Sequence, residues 1–306
     1  MSGPRVAVVG HVEWLDFAVV DHLPRAGEIV TAREHVAVAA GGGAVAAIQL
    51  LRLAGAADFF TVVGDDLLGE RSAAELRERG LTLHAVTRQV PQRRAFTHVD
   101  GNAERTITVL GDRLVPHADD PLPWDLLAQV DGVYFTGADG AAARAARRAR
   151  ALVATGRAPE ALIAGGVVPD VLVASERDEK EVAGVEAFEA ALGANSPAPG
   201  GGPSGPRYTI FTRGGEGGHW HGTDGSSGTW EAVRPPSAPV DAYGCGDSFA
   251  AALAYGLGAG LGIERTIALA ARCGAWCVTG RGPYGHQLTR AELADDELGL
   301  SARPRR

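Results

Sequence analysis

Short apolar runs alternate with alanine-rich stretches of helical period along most of this chain. Residues 6–9 form a continuous apolar run ending at Gly10, as expected of a parallel strand buried on both faces. Gly41-Gly42-Gly43 opens a helix that the pattern carries to about Ala54. Residues 59–63 predict a strand ending at Gly64-Asp65-Asp66, and 69–79 predict a helix stopped by Gly80. Further strands are expected at 133–136, 151–154, 171–174 and 208–212, with Ala-, Arg- and Glu-rich helical segments between them. Such alternation predicts an α/β fold with a Rossmann-like, doubly wound, mostly parallel sheet covered on both faces.

Two segments break the alternation. Residues 14–20, 28–31 and 36–38 are β-rich pieces around a Pro-Arg-Ala-Gly turn at 24–27. Residues 95–99 and 105–110 flank Asp100-Gly101-Asn102, a hairpin signal because these residues tolerate positive φ. The two patches are expected to pair as a small β lid, from 11–39 and 83–111, inserted in one domain spanning 1–306. The run 195–206, rich in Gly, Pro and Ser, reads as a surface loop.

Charge and composition narrow the function. Lys and Arg number 29 against 37 Asp and Glu, a net charge of −8, and no basic stripe with interleaved aromatics suggests a nucleic-acid partner. No apolar run approaches the ~18 residues of a membrane span, so a cytoplasmic protein is expected. Three cysteines, Cys245, Cys273 and Cys277, fit a reducing compartment better than a disulfide framework. Lys180 is the one lysine. It stands in no GxxxxGK[ST] loop, so phosphate chemistry must rest on backbone N–H groups, helix ends, a metal ion or arginine.

The segment Val240-Asp241-Ala242-Tyr243-Gly244-Cys245-Gly246-Asp247-Ser248-Phe249 precedes a small-residue helix at 250–255. Glycines at 244 and 246 let consecutive N–H groups converge beside a helix N-terminus, which makes an anion hole. Taken alone, a Gly-Asp pair more often marks a helix cap. The whole stretch, however, resembles the C-terminal signature of the ribokinase-like (PfkB) carbohydrate kinases, with Asp241, Gly244, Gly246, Asp247 and Phe249 on matching positions.

The resemblance implies that Asp247 is the catalytic base and that Gly244, Cys245 and Gly246 cradle the transferring phosphoryl group. It extends over about residues 5–290. Gly41, Gly42 and Gly43 resemble the motif that approaches the substrate, and 62–69 resembles the following Val-Gly-x-Asp-x-x-Gly segment. On the ATP side, 212–218 resembles a Thr-x-Gly-x-x-Gly turn, giving Thr212, Gly214, Gly215, Gly217, Cys273 and Arg281 as nucleotide candidates. Asp178 falls in Ser175-Glu176-Arg177-Asp178, where the family carries Asn-x-x-Glu, a motif associated with Mg²⁺ through water. A monovalent cation, K⁺, is implied near Asp241. The implied activity is ATP-dependent phosphorylation of a hydroxymethyl group on a sugar, polyol or nucleoside. The lid's exposed β surface predicts a homodimer.

Departures fall on the substrate side. Ala46 stands where the family has an Asn, and Glu13-Trp14-Leu15 replaces Asn-x-Asp, with Asp16 one place later. Glu13, Asp16, Arg94 and His98 are therefore the candidates for reading the acceptor. The altered motifs also motivate an alternative, a non-catalytic sugar- or nucleotide-binding protein on a kinase fold; retention of Asp247 and both flanking glycines argues against it. Gly246-Asp247-Ser248-Phe249-Ala250 nearly matches a serine-hydrolase elbow, but 235–239, with three prolines, cannot form the strand that elbow needs. Cys273 with Cys277, one helical turn apart, and His219 with His221, on one face of a strand, lack the further ligands a metal requires, and the cysteines read better as small buried hydrophobes.

Overall fold

A computed structural model describes residues 3–101, 105–194 and 205–293. Thirteen strands occur among them: β1 (Val6–Val9), β2 (Glu13–Val19), β3 (Glu34–Ala40), β4 (Asp58–Gly64), β5 (Thr82–Arg88), β6 (Arg94–Val99), β7 (Arg105–Leu110), β8 (Gly132–Phe135), β9 (Ala151–Thr155), β10 (Val171–Ser175), β11 (Tyr208–Thr212), β12 (Gly218–Gly222) and β13 (Ser227–Trp230). The helices are α1 (Gly42–Ala54), α2 (Leu67–Glu78), α3 (Gly140–Ala146), α4 (Pro159–Gly165), α5 (Glu179–Ala194), α6 (Cys245–Gly258) and α7 (Ile263–Cys277).

Nine strands form one sheet in the order β13-β12-β11-β10-β9-β8-β1-β4-β5. From β11 to β5 every neighbour is parallel, whereas the β12–β13 hairpin adds two antiparallel strands at one edge. The central strands are buried on both faces, and their side chains divide between two cores. Val6, Val8 and Phe59 pack on the side of α1, α6 and α7. Ala7, Val9, Phe60, Val133 and Phe135 pack on the side of α3, α4 and α5. The sheet is thus covered on both faces, as the uninterrupted apolar runs predict.

Four strands form the second sheet in the order β3-β2-β6-β7. β2 pairs antiparallel with β3 and parallel with β6, and β6 pairs antiparallel with β7. Two expectations need correction here. Residues 28–31 carry no strand, since Arg25 and Glu28 close a turn and Ile29 is 95% exposed with no neighbouring strand to accept it. Thr82–Arg88 belongs to the main sheet, because it follows α2 and pairs in parallel with β4 as a βαβ unit does, so the second lid segment begins its strands at Arg94. Asn102 of the expected hairpin turn and 195–204 of the expected loop lie outside the described residues.

The 62–69 motif proves to be an attachment point for this second sheet. A methyl group at Gly69 would lie 2.1 Å from the Gly64 carbonyl oxygen, and one at Gly64 would lie 2.3 Å from the Gln92 backbone nitrogen. Asp66 caps α2 by accepting from Gly69 N–H at 2.9 Å and also accepts from Gln92 N–H at 3.2 Å. The buried Gln92 side chain accepts from Gly64 N–H and donates to the Val12 carbonyl, each at 2.9 Å. One glutamine thereby ties the end of β4 to both chain entries into the lid.

Candidate active site

A cleft of about 750 Å³ runs along the C-terminal ends of the main-sheet strands, beneath the second sheet. In open α/β sheets this edge is where ligands bind. At its floor α6 begins on Gly244, whose φ of +79° is a left-handed value natural to glycine and whose missing side chain spares a 2.7 Å clash with Val45 Cγ1. Cys245, Gly246 and Asp247 form the first turn of α6, so Asp247 is not the helix cap. A methyl group at Gly246 would meet nothing within 4 Å, which leaves its backbone open to the cleft.

Asp247 faces the N-terminus of a second helix, α1. A methyl group at Gly42 would sit 2.7 Å from Asp247 Oδ1, so the carboxylate rests directly over the Gly42 backbone. Gly41 has φ of +87°, and a side chain at Gly43 would strike the His11 carbonyl oxygen at 2.5 Å. Each glycine of the triplet is thus required by a different contact. Burial is the main cause that pushes the Asp247 pKa up to about 6, reinforced by the charge of Glu181 and opposed by Arg105, Arg157 and Arg113.

Towards β9 and β10, Arg157 holds two carboxylates. It bonds Asp178 and donates to Glu181 Oε1 at 2.6 Å. Asp178 Oδ1 also accepts from the N–H groups of Lys180 and Glu181, and Glu181 Oε2 accepts from Ser175 N–H at 2.7 Å. Both carboxylates line the cleft with these bonds already made, which suits a metal ion held through water rather than directly. Among the described residues no group of three or more His, Cys, Asp or Glu side chains could hold a metal by itself.

Of the nucleotide candidates, Thr212 and Gly214 line the cleft. Gly215 and Gly217 do not, and Gly217 is explained by packing, since a side chain there would lie 1.9 Å from the Trp230 carbonyl oxygen. Cys273 is fully buried in the core and away from the cleft lining, because its position on α7 faces α6. Arg281 is engaged by Glu34 of the lid. Asp241 is 2% exposed and accepts from the N–H groups of Tyr243 and Gly282, each at 2.7 Å, tying the approach to α6 to the loop after α7. Burial raises its pKa.

The pleat of the lid sorts the acceptor candidates. Glu13 lies on the inner face with Arg105, Ile107 and Val109, and all four line the cleft. Asp16, Arg94 and His98 lie on the opposite face, where Asp16 pairs with Arg94 at 3.0 Å and with His35 at 3.3 Å, and His98 packs edge-on against Phe96. Period-two alternation from Glu13 separates them from the cleft. The bulky Trp14 is on that outer side as well.

Several cleft residues escaped the sequence reading: His11, Arg93, Arg105, Arg113, Arg157 and Glu181. His11, Arg157 and Glu181 follow the C-terminal ends of β1, β9 and β10, a location that could have flagged them. Ser248 is fully buried and accepts from Gln287 Nε2 at 3.2 Å, which disposes of a nucleophilic elbow. Cys277 is buried and donates to the Tyr243 carbonyl, and His219 pairs with Glu176 at 3.0 Å.

Residues 4–290 match the model of the pfkB family of carbohydrate kinases. A ribokinase of Dictyostelium discoideum is 28% identical over 109 residues, 35% of this chain and 34% of that protein, so the chain spans about a third of the length of the curated relative it matches. Among solved structures, the fold is shared with Arabidopsis thaliana ribokinase complexed with ribose and ATP, at 19% identity and a TM-score of 0.71, covering 95% of this chain and 97% of that one. Adenosine kinase from Sinorhizobium meliloti is similar to the same degree, with 19% identity, a TM-score of 0.70 and coverage of 94% and 97%.

Proposed function

The chain belongs to the pfkB family of carbohydrate kinases, and on that premise we propose that it transfers the γ-phosphoryl group of ATP to a hydroxymethyl group of a sugar, polyol or nucleoside, with Asp247 as the general base. The observation that carries this reading is the placement of Asp247: in the first turn of α6, beside the Gly244–Gly246 loop, with its carboxylate against Gly42 at the floor of the cleft.

The acceptor hydroxyl gives its proton to Asp247 as its oxygen bonds to the γ-phosphorus, and the bond from that phosphorus to the β–γ bridging oxygen breaks, releasing ADP. Backbone N–H groups at 245 and 246 and the positive end of α6 stabilise the charge on the phosphoryl oxygens in transfer. Thr212 and Gly214 would bear on the nucleotide. Asp178 and Glu181 would hold Mg²⁺ through water, and the ion, when bound, neutralises phosphate charge. The buried Asp241 carboxylate, whose partners among the described residues are the N–H groups of Tyr243 and Gly282, is the group next to which a K⁺ ion would offset the cost of burial. A homodimer through the lid is supported by its edge strands β3 and β7, which leave Val36 and Leu110 exposed outside the cleft lining.

Asp247→Asn tests the reading. The amide keeps the shape but accepts no proton, so turnover should fall ~10²- to 10⁴-fold while MgATP still binds in a calorimetric titration. Near-normal turnover would refute Asp247 as the base, and ATP binding without transfer to any acceptor by the unaltered protein would favour the non-catalytic alternative.

A further inference from the structure

Over the ends of β1 and β8 the cleft holds a positive charge, Arg113, with no carboxylate partner among the described residues. Arg113 follows β7, and its half-buried guanidinium is fixed over the ends of two adjacent strands. Nε and Nη2 donate to His11 Nδ1 at 3.1 and 2.8 Å, and Nη2 donates to the Thr136 carbonyl at 3.0 Å. Among the described residues Arg113 forms no ion pair, and Nη1 with its two N–H groups has no acceptor. Of the neighbouring arginines, Arg93 donates to Glu13 at 3.0 Å, Arg157 holds Asp178 and Glu181, and Arg105 is drawn to the Ala242 carbonyl on the far side of the cleft.

His11 does not supply the missing negative charge. Burial, and then the charge of Arg113, hold its pKa well below the ordinary value, so the ring is neutral. With Nδ1 accepting from Arg113, the ring proton resides on Nε2, a second donor in a residue that lines the cleft. A guanidinium withdrawn from water without a counter-ion is costly, and this one is oriented before any ligand arrives. Its place also separates it from the nucleotide. Thr212 and Gly214 stand at the end of β11, whereas Arg113 lies over β8 and β1, three strands along the same edge.

We propose that the acceptor is a sugar acid, and that Arg113, with the His11 ring beside it, binds its carboxylate; this rests on the kinase reading given above. The unpaired charge of Arg113 suits a carboxylate, to which the two N–H groups of Nη1 are free to donate. The Asp and Asn anchors that the family resemblance leads one to expect at Leu15 and Ala46 are then replaced by a cationic one.

Kinetics with matched pairs, ribose with ribonate and glucose with gluconate, together with ribose 5-phosphate, test the assignment. An aldonate should exceed its neutral partner in kcat/KM by roughly 10-fold or more. Arg113→Gln should raise the aldonate KM roughly 10- to 100-fold, leave the KM values for MgATP and for the neutral sugar nearly unchanged, and be partly rescued by Arg113→Lys. Calorimetric titration of the aldonates into protein saturated with ADP gives a readout independent of turnover, and binding there should be lost in Arg113→Gln. Neutral sugars phosphorylated as well as aldonates, a preference for the sugar phosphate, or a defect of Arg113→Gln confined to MgATP would each overturn the proposal. Arg113-dependent aldonate binding without transfer to any acceptor would keep the anion site and defeat the kinase reading instead; no aldonate binding at all would defeat the anion site.

Discussion

At the scale of single residues, the site is a carboxylate whose surroundings work against its charge. With its pKa raised to about 6 from an ordinary value of 3.8, Asp247 should give kcat/KM an acid limb with a midpoint near pH 6, measured under conditions that keep the protein folded. The same shift has a stability consequence of definite sign. The folded state binds the Asp247 proton more tightly than the unfolded chain, so this group's contribution to stability falls as pH rises from about 4 to about 6. Asp247→Asn should therefore melt no lower than the unaltered protein at pH 7, with its advantage vanishing below about pH 4. Gly42→Ala is expected to act in the opposite way on function: its methyl group would fall 2.7 Å from Asp247 Oδ1, displacing the carboxylate and cutting turnover by ~10²-fold or more, read by steady-state kinetics. That Asp247, Gly42 and the loop at 244–246 stand together at one cleft was legible through their resemblance to a family signature, since a Gly-Asp pair alone more often marks a helix cap. Arg113 was not, since a single arginine after a lid strand in an arginine-rich chain leaves no pattern, and only folding brings it to the edge of the main sheet.

At the scale of elements, the uninterrupted apolar runs made β1, β4, β8, β9, β10 and β11 legible, because strands buried on both faces must be apolar throughout. β5 was misassigned to the lid because its half-exposed sequence alternates like an antiparallel strand, and only its parallel pairing with β4 reveals it as the outer edge of the main sheet. The face of the lid that meets the cleft was equally hidden: a shift of one residue in β2 exchanges Glu13 for Asp16 and its neighbours. Gln92, absent from any motif, is the clearest case of an element held by a single side chain. Gln92→Ala would leave Gly64 N–H and the Val12 carbonyl without their partners, costing about 1–3 kcal/mol in a denaturant titration and loosening the lid relative to the main sheet.

At the scale of the whole molecule, the proposed homodimer predicts that sedimentation will show two chains associated, and that Val36→Asp, which puts a charge on an exposed apolar site of edge strand β3, will shift the population to monomers. A monomeric unaltered protein would refute the arrangement. Within one chain, the lid also reaches the body away from Gln92: Arg105 donates to the Ala242 carbonyl beside the 244–246 loop, and Glu34 pairs with Arg281 in the loop after α7. The inner face of the same lid carries Glu13, Ile107 and Val109 over the opposite half of the cleft. A sheet that touches both halves and moves as one body would be drawn down by an occupant of either. Whatever free energy one ligand contributes to holding the sheet down is available to the other, and linkage requires the factor by which each tightens its companion to be the same in both directions.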